Sequence, residues 1–208
     1  MKSDGMTLVE ILVVVAIVGL LAAVLFPVAG RMQRAAQATK CATNMRSIYE
    51  GVILFGADNN GSLPSASEPR SGLPIFWTEQ LHAQMGFPKG QRPAGGWAWE
   101  YQPVFWCPNG RPETQRRAKG YGMNANFLKP SGSNLRWAAV TSPAKKVLLA
   151  EVIPGGANPL NIAASSPQEF LSRLNFRHDQ TANIVWADGH LTRERSDGEW
   201  LDAEMLTP

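Results

Sequence analysis

The feature that most constrains this chain is a run near its N-terminus, Ile11 to Ala29, with no charged side chain in 19 residues. As a helix it would be roughly 28 Å long at about 1.5 Å per residue, close to the thickness of a bilayer's hydrocarbon. A cleaved secretory signal has a shorter apolar core, a longer basic start and a small-residue cleavage site behind that core. Here only Met1-Lys2-Ser3-Asp4-Gly5 precedes the run's approach, and Arg31, Arg34 and Lys40 follow it. The run reads as a retained single-pass anchor, in which Gly19 and Pro27 are tolerable. By the positive-inside rule, the basic residues behind the span favour a cytoplasmic head.

The helical pattern continues past the run, from Arg31 to Asp58. Ala38, Cys41, Met45, Ile48, Val52 and Phe55 recur at alternating steps of three and four, while Arg34, Lys40, Arg46 and Glu50 lie mostly off that stripe. Asp58-Asn59-Asn60-Gly61 supplies a helix stop and Leu63-Pro64 starts an extended segment. One long helix results, its first half in lipid and its second half packed on a head. The length of 208 residues leaves room for one domain beyond the anchor. A hydrophobic share of 44% and a charged share of 18% exclude a disordered chain and a multi-span membrane protein. The formal charge of +3 is too mild to argue for nucleic acid. With 2 cysteines there is neither a cysteine-stapled scaffold nor a four-cysteine zinc site.

In the head, residues 59–208, Trp77 to Phe87 reads as a short amphipathic helix and 88–103 as a Gly-, Pro- and Trp-rich excursion. Val104 to Cys107 reads as a strand stopped by Pro108, and Gly120 to Asn124 as turn-rich. Lys146 to Val152 is a buried strand, and Ser166 to Leu174 a short helix with proline in its first turn. Asn175 to His178, Asn183 to Ala187 and His190 to Glu194 read as strands, the last two joined by a two-residue Asp188-Gly189 turn. The fold class is α+β, a mixed and mainly antiparallel sheet lying against the helical stripe.

The residues leading into the apolar run, Gly5-Met6-Thr7-Leu8-Val9-Glu10, resemble the type IV prepilin signal. The resemblance implies cleavage after Gly5 by a prepilin peptidase on the cytoplasmic side and methylation of the new N-terminus at Met6. It makes residues 1–5 a leader, 6–30 a transmembrane helix and 31–58 its continuation into a head outside the cytoplasm, opposite to the positive-inside reading. Met6 departs from the family's usual Phe. Further motifs stand in the head: Cys41-x-x-Asn44-Met45, Phe105-Trp106-Cys107-Pro108, Tyr121-Gly122-Met123-Asn124, and His178 with nine residues between it and Asp188-Gly189. In this order they resemble prepilin-like proteins with an H-x9-DG C-terminal domain, relatives of type II secretion pseudopilins. A pilin-like fold and filament assembly are what the resemblance implies.

Glu10 has an argument of its own. A carboxylate at the hydrocarbon edge costs up to about 2.5–3.5 kcal/mol, so it needs a partner. The amine freed at Met6 of a neighbouring subunit supplies one; the alternative is that Glu10 snorkels to the interface. Cys41 and Cys107 enter an oxidising compartment if the head does, where an even count tends to pair. Closing about 65 residues would be worth roughly 4 kcal/mol; otherwise both are small buried hydrophobes.

His178 and Asp188 invite a catalytic or metal reading. If 183–187 is one strand they stand roughly 15 Å apart, so a structural role is favoured, His178 capping one turn and Asp188-Gly189 forming the other. His190 beside Asp188 adds too few ligands for a transition metal. Asp197, Glu199, Asp202 and Glu204, with Gly198, offer oxygens for calcium but match no defined loop, and an acidic solvated tail is the alternative. No other cofactor is suggested. Gly95-Gly96-Trp97-Ala98-Trp99 could form a glycan platform or pack under a loop, and Arg111, Arg116, Arg117 and Lys119 form a basic run. The absence of any nucleophile elbow, phosphate loop or zinc-helix motif argues against an enzyme. The expectation is a single-pass bacterial inner-membrane pilin or pseudopilin. Its partners would be prepilin peptidase, other subunits, an assembly platform and lipid, but not nucleic acid. A membrane-anchored module binding glycan or another envelope component, and an anchored hydrolase using His178 and Asp188, are the rivals.

Overall fold

A computed structural model describes residues 7–68, 75–82, 84–87, 102–108, 120–129, 134–153, 161–162 and 164–208. The apolar run and the amphipathic stretch behind it form one helix, α1, Leu8–Asp58, with Pro27 inside it. The chain divides into two compact units, Met1–Gln37 and Ala38–Pro208. In the first, no described residue is buried; Leu8 is 79% exposed and Phe26 78%. This helix is long and apolar enough to cross a membrane. In the second unit, α1 buries the whole predicted stripe, Ala38, Cys41, Met45, Ile48, Val52 and Phe55, and also Asn44. The helix stops where Asn60 and Gly61 take left-handed φ values of 53° and 74°, and the Gly61 amide donates back to the Gly56 carbonyl at 2.8 Å.

The head is built on five strands: β3 (Tyr121–Asn124), β4 (Val147–Glu151), β5 (Asn161–Ile162), β6 (Thr181–Trp186) and β7 (Leu191–Arg195). Their order is β5-β3-β4-β6-β7, antiparallel except for the parallel β3–β5 pair. Ahead of them, β1 (Ser67–Glu68) and β2 (Ile75–Phe76) form a small antiparallel pair, and α2 (Trp77–Gln80) follows directly. The last helix, α3 (Pro167–Arg173), starts as expected: the Ser166 hydroxyl accepts from the Glu169 amide, with proline in the first turn. The architecture is α+β and pilin-like, a long apolar N-terminal helix with a mainly antiparallel sheet.

Both faces of the sheet are covered. On one face Val185 and Ala187 pack with Cys41, Met45, Ile48 and Val52 of α1. On the other, Ile184 and Trp186 pack with Phe170, Leu174 and Leu206. This is the period-2 alternation of a strand buried on two sides. In β4 the alternation slips: Leu148 and Leu149 both join the α1 side, while Val147 and Ala150 join the other. A register shift between Val147 and Leu149 accounts for the slip. Beyond the bulge the count restarts, and Glu151 falls on the same face as α1.

Several local expectations are corrected. Val104–Cys107 is not a strand: Pro103–Phe105 form a 3-10 turn, because proline fixes φ and offers no ladder amide. Gly120–Asn124 is mostly strand, since β3 gains partners on both sides. Asn175–His178 is not a strand; the described pairings there are single bridges, Leu174 with Val152 and His178 with Thr181. The helix begun at Trp77 lasts only to Gln80 and gives way to turns. The two-residue hairpin is Asp179-Gln180, both in the left-handed region at φ 52° and 62°, with His178 and Thr181 exchanging backbone hydrogen bonds. Asp188-Gly189 belongs instead to a three-residue connection, Ala187 to Gly189. There the Gly189 amide donates to the Trp186 carbonyl at 2.9 Å, and Gly189, at φ 94°, lets the His190 carbonyl accept from the Trp186 amide.

Candidate functional site

Two places in the molecule carry the chemistry that the sequence marks. The first is the start of α1. Gly5 and Met6 lie outside the described residues. Thr7 and Glu10 form a reciprocal cap: the Thr7 amide and hydroxyl donate to Glu10 Oε2 at 2.7 and 2.9 Å, and the Glu10 amide donates to Thr7 Oγ1 at 3.3 Å. This is the T-x-x-E capping box, whose sequence signal was legible in Thr7-Leu8-Val9-Glu10. Glu10 thus has a local role as well as a charge for which a membrane offers no solvent.

The second place is a buried polar centre between α1 and the sheet, and it gathers most of the head's motif residues. Glu151 ends β4 with its carboxylate wholly buried. Its Oε1 takes the His178 ring nitrogen Nε2 at 2.9 Å, and its Oε2 accepts the Asn183 backbone amide at 2.9 Å. Asn183 Nδ2 donates to Oε1 at 3.2 Å. Where the Glu151 carboxylate accepts from the imidazole, the facing Nε2 is the nitrogen that carries the proton. Cys41 and Cys107 are joined as a disulfide, with Cα atoms 5.2 Å apart. Cys107 Sγ lies 3.5 Å from His178 Nε2 and 3.9 Å from Glu151 Oε1. Gly120 backs the cysteine: a Cβ there would come within 2.6 Å of the Cys107 Cβ, so no side chain fits.

Around this core stands a shell of amides and hydroxyls. Asn44 Nδ2 donates to the Trp106 carbonyl at 2.9 Å, and the Tyr121 hydroxyl donates to the same carbonyl at 3.3 Å. Burial pushes the Tyr121 hydroxyl above the ordinary phenol range; the Asn44 hydrogen bond opposes this and the Glu151 charge adds to it. Arg177 donates to the Val152 carbonyl at 2.8 Å. Burial lowers its guanidinium from the usual value, against the pull of Glu151. Asn124 ties the far end of β3 to the Val147 and Leu206 carbonyls, at 3.0 Å each.

The two halves of the H-x9-DG motif therefore do different work at opposite ends of β6. His178 does not cap a turn with its ring; the imidazole belongs to Glu151. Asp188 faces His190, whose backbone amide donates to Oδ1 at 3.1 Å and whose ring nitrogen Nδ1 lies 2.6 Å away. Burial works to raise the Asp188 carboxyl, but these His190 contacts hold it below its ordinary value. Gly189 lies against α1, where a Cβ would come within 2.5 Å of the Tyr49 ring, and the Tyr49 hydroxyl donates to the Ala187 carbonyl at 3.2 Å. His178 and Asp188 share no hydrogen bond, so a hydrolytic pair is not assembled.

The acidic C-terminal residues are not drawn together. Asp197 Oδ1 accepts from the Glu199 amide at 3.4 Å and Asp202 Oδ1 from the Glu204 amide at 3.3 Å, as local turn caps. Among the described residues, the one group of three or more His, Cys, Asp or Glu side chains that converge is Cys41, Cys107, Glu151 and His178. The Trp97–Trp99 platform and the basic run at Arg111, Arg116, Arg117 and Lys119 lie outside the described residues. The sequence reading missed Glu151 and Asn183. The available signal was a glutamate between the apolar Val147-Leu148-Leu149-Ala150 and Val152, a charge that a buried strand cannot hold unpaired.

Residues 1–26 match the family model described as Prokaryotic N-terminal methylation motif. No curated protein and no solved structure matches the chain. The match, confined to the N-terminal segment, supports a type IV pilin-like protein and implies processing by a prepilin peptidase. With the apolar start of α1, it is consistent with a membrane-anchored protein.

Proposed function

We propose that this chain is an assembly subunit of a type IV pilus-like or type II secretion filament, cleaved after Gly5 and methylated on Met6. The observation that carries the reading is the methylation motif at residues 1–26 running into a helix with no buried residue from Leu8 to Gln37. A surface so apolar has to be covered by lipid before assembly and by other subunits' helices after it. Glu10 then exchanges its intrachain cap for the free Met6 amine of a neighbour, setting the axial register. The anchor sits in the bacterial inner membrane beside an assembly platform, with the head outside the cytoplasm, where Cys41 and Cys107 oxidise.

N-terminal mass spectrometry of protein made with and without a prepilin peptidase tests the processing. The expected terminus is methylated Met6 with the enzyme and Met1 without it, and Gly5→Val should keep the leader; identical termini in all samples would sink the reading. For assembly, Glu10→Val should insert at least as well, being relieved of up to about 2.5–3.5 kcal/mol, yet should lose its crosslinks to wild-type subunits. Unchanged crosslinks would leave Glu10 only its cap.

A further inference from the structure

The four converging side chains around Glu151 have a property that neither filament assembly nor the fold requires. We infer that, when the Cys41–Cys107 bond is reduced, Cys41 Sγ, Cys107 Sγ, His178 Nε2 and Glu151 Oε1 form a site for one zinc-like divalent cation. The observation behind it is that one ligand atom from each of the four lies within 4.8 Å of the others, and all four residues are buried.

The spacing suits a tetrahedron. Metal–ligand lengths of about 2.0–2.3 Å give edges of about 3.3–3.8 Å. The edges already present are 2.9 Å from His178 Nε2 to Glu151 Oε1, 3.5 Å from Nε2 to Cys107 Sγ, and 3.9 Å from that sulfur to Oε1. The remaining ligand-atom separations, those of Cys41 included, are within 4.8 Å, and the covalent bond holds the two sulfurs closer than two thiolates on one metal stand. Breaking it lets them relax to the spacing of two thiolates on one metal.

The donor set, two sulfurs, an imidazole and a carboxylate, is one that zinc accepts. Its support is in place as well. Asn183 holds the carboxylate through its backbone amide and Nδ2, the kind of outer contact that orients a metal ligand. Two thiolates and a carboxylate with a divalent cation leave one negative charge, which the Arg177 guanidinium, electrostatically coupled to Glu151, offsets.

The chemistry balances. A dithiol reductant gives two electrons and two protons to the disulfide, becoming a disulfide itself and leaving two thiols. The cation then displaces both thiol protons to solvent, and the imidazole moves its proton from Nε2 to Nδ1 so that the Nε2 lone pair binds. A small-molecule disulfide reverses the sequence: it accepts the two electrons and, with two protons from solvent, becomes two thiols, while the Cys41–Cys107 bond re-forms and the metal is released. The same quartet thus serves as a covalent clamp in one redox state and a coordination centre in the other, whether or not the chain assembles into filaments.

The full chain in detergent, reduced with a phosphine under anaerobic conditions, tests this with cobalt(II) and then zinc(II). The expected result is a thiolate-to-cobalt charge-transfer absorption that saturates at one equivalent, is displaced by zinc, and is absent from unreduced protein. X-ray absorption of the zinc-loaded wild type should give two sulfur and two nitrogen or oxygen neighbours. His178→Gln and Glu151→Gln should each weaken binding by at least the roughly 10–100-fold that losing even an outer-shell partner costs. No charge-transfer band, a different set of neighbours, or a band unaffected by both variants would overturn the site. So would a band seen only after the near-ultraviolet dichroism of the native tryptophans is lost, since an unfolded chain then supplies the thiolates.

Discussion

The two parts of α1 solve opposite problems with one backbone. From Ile11 to Ala29 the helix is apolar on all sides and no described residue of its unit, up to Gln37, is buried; from Ala38 to Asp58 a single stripe is apolar and the sheet buries it. A helix that is hydrophobic all round needs a surrounding it does not carry, whereas a striped one is satisfied within its own chain. Polar groups show the same contrast. Glu10, in the first part, is answered within one turn by Thr7. Glu151, in the second unit, is answered by residues 27 and 32 positions away, His178 and Asn183. Local chemistry suffices where the tertiary structure offers nothing, and long-range chemistry takes over where it does.

The sharpest break of this comparison comes at the buried centre. His178→Ala should cost the head about 3 kcal/mol or more, because it strips a wholly buried carboxylate of its imidazole hydrogen-bond partner, and leave Met6 processing untouched. Urea unfolding followed by tryptophan fluorescence measures the first and N-terminal mass spectrometry the second; a loss below about 1 kcal/mol would mean that Asn183 alone satisfies Glu151.

Truncation on the two parts of α1 should differ as strongly. Ile48→Ala removes a fully buried side chain and should cost about 2–5 kcal/mol. Leu20→Ala, at a position 70% exposed, should leave head unfolding within about 0.5 kcal/mol of wild type. Equal effects in the same unfolding experiment would show that the two parts unfold as one.

Gly189→Ala comes next, at about 1–3 kcal/mol, for it forces a side chain onto a left-handed residue and into the Tyr49 ring. The second variant Tyr49→Leu separates the causes: if relief of the clash restores the lost stability, sterics dominate, and if not, backbone strain does.

The smallest effect belongs to the surface. The Ser165 backbone amide, the Arg173 side chain and the Ser165 hydroxyl, against a slight effect of burial, hold the Glu169 carboxyl at about 2. A depressed carboxylate contributes stability above its unfolded value near 4.5 and loses it as pH falls through about 2. Carbon-detected titration of Glu169 should show this midpoint, with α3 fraying only at the acid end; a midpoint near 4.5 would remove the contribution.

Much of this molecule was legible without coordinates because it is written in local patterns. The apolar run, the helix stop at Asn60-Gly61, the Ser166-Pro167 helix start and the stripe from Ala38 to Phe55 each depend on neighbours within a turn or two, where periodicity and capping act. The same locality makes Thr7-x-x-Glu10 readable as a cap. What only the tertiary structure decided concerns residues whose meaning depends on distant partners. A register shift in β4 turns Glu151 toward α1, where it meets His178, Asn183 and the Cys41–Cys107 pair; no spacing in the sequence encodes that bulge. The same holds for the hairpin between β6 and β7, where Asp188-Gly189 looked like a two-residue turn and the connection is Ala187 to Gly189. Turn propensity is worth little against the pairing of whole strands, so the ladder between β6 and β7 chose which residues lie between them.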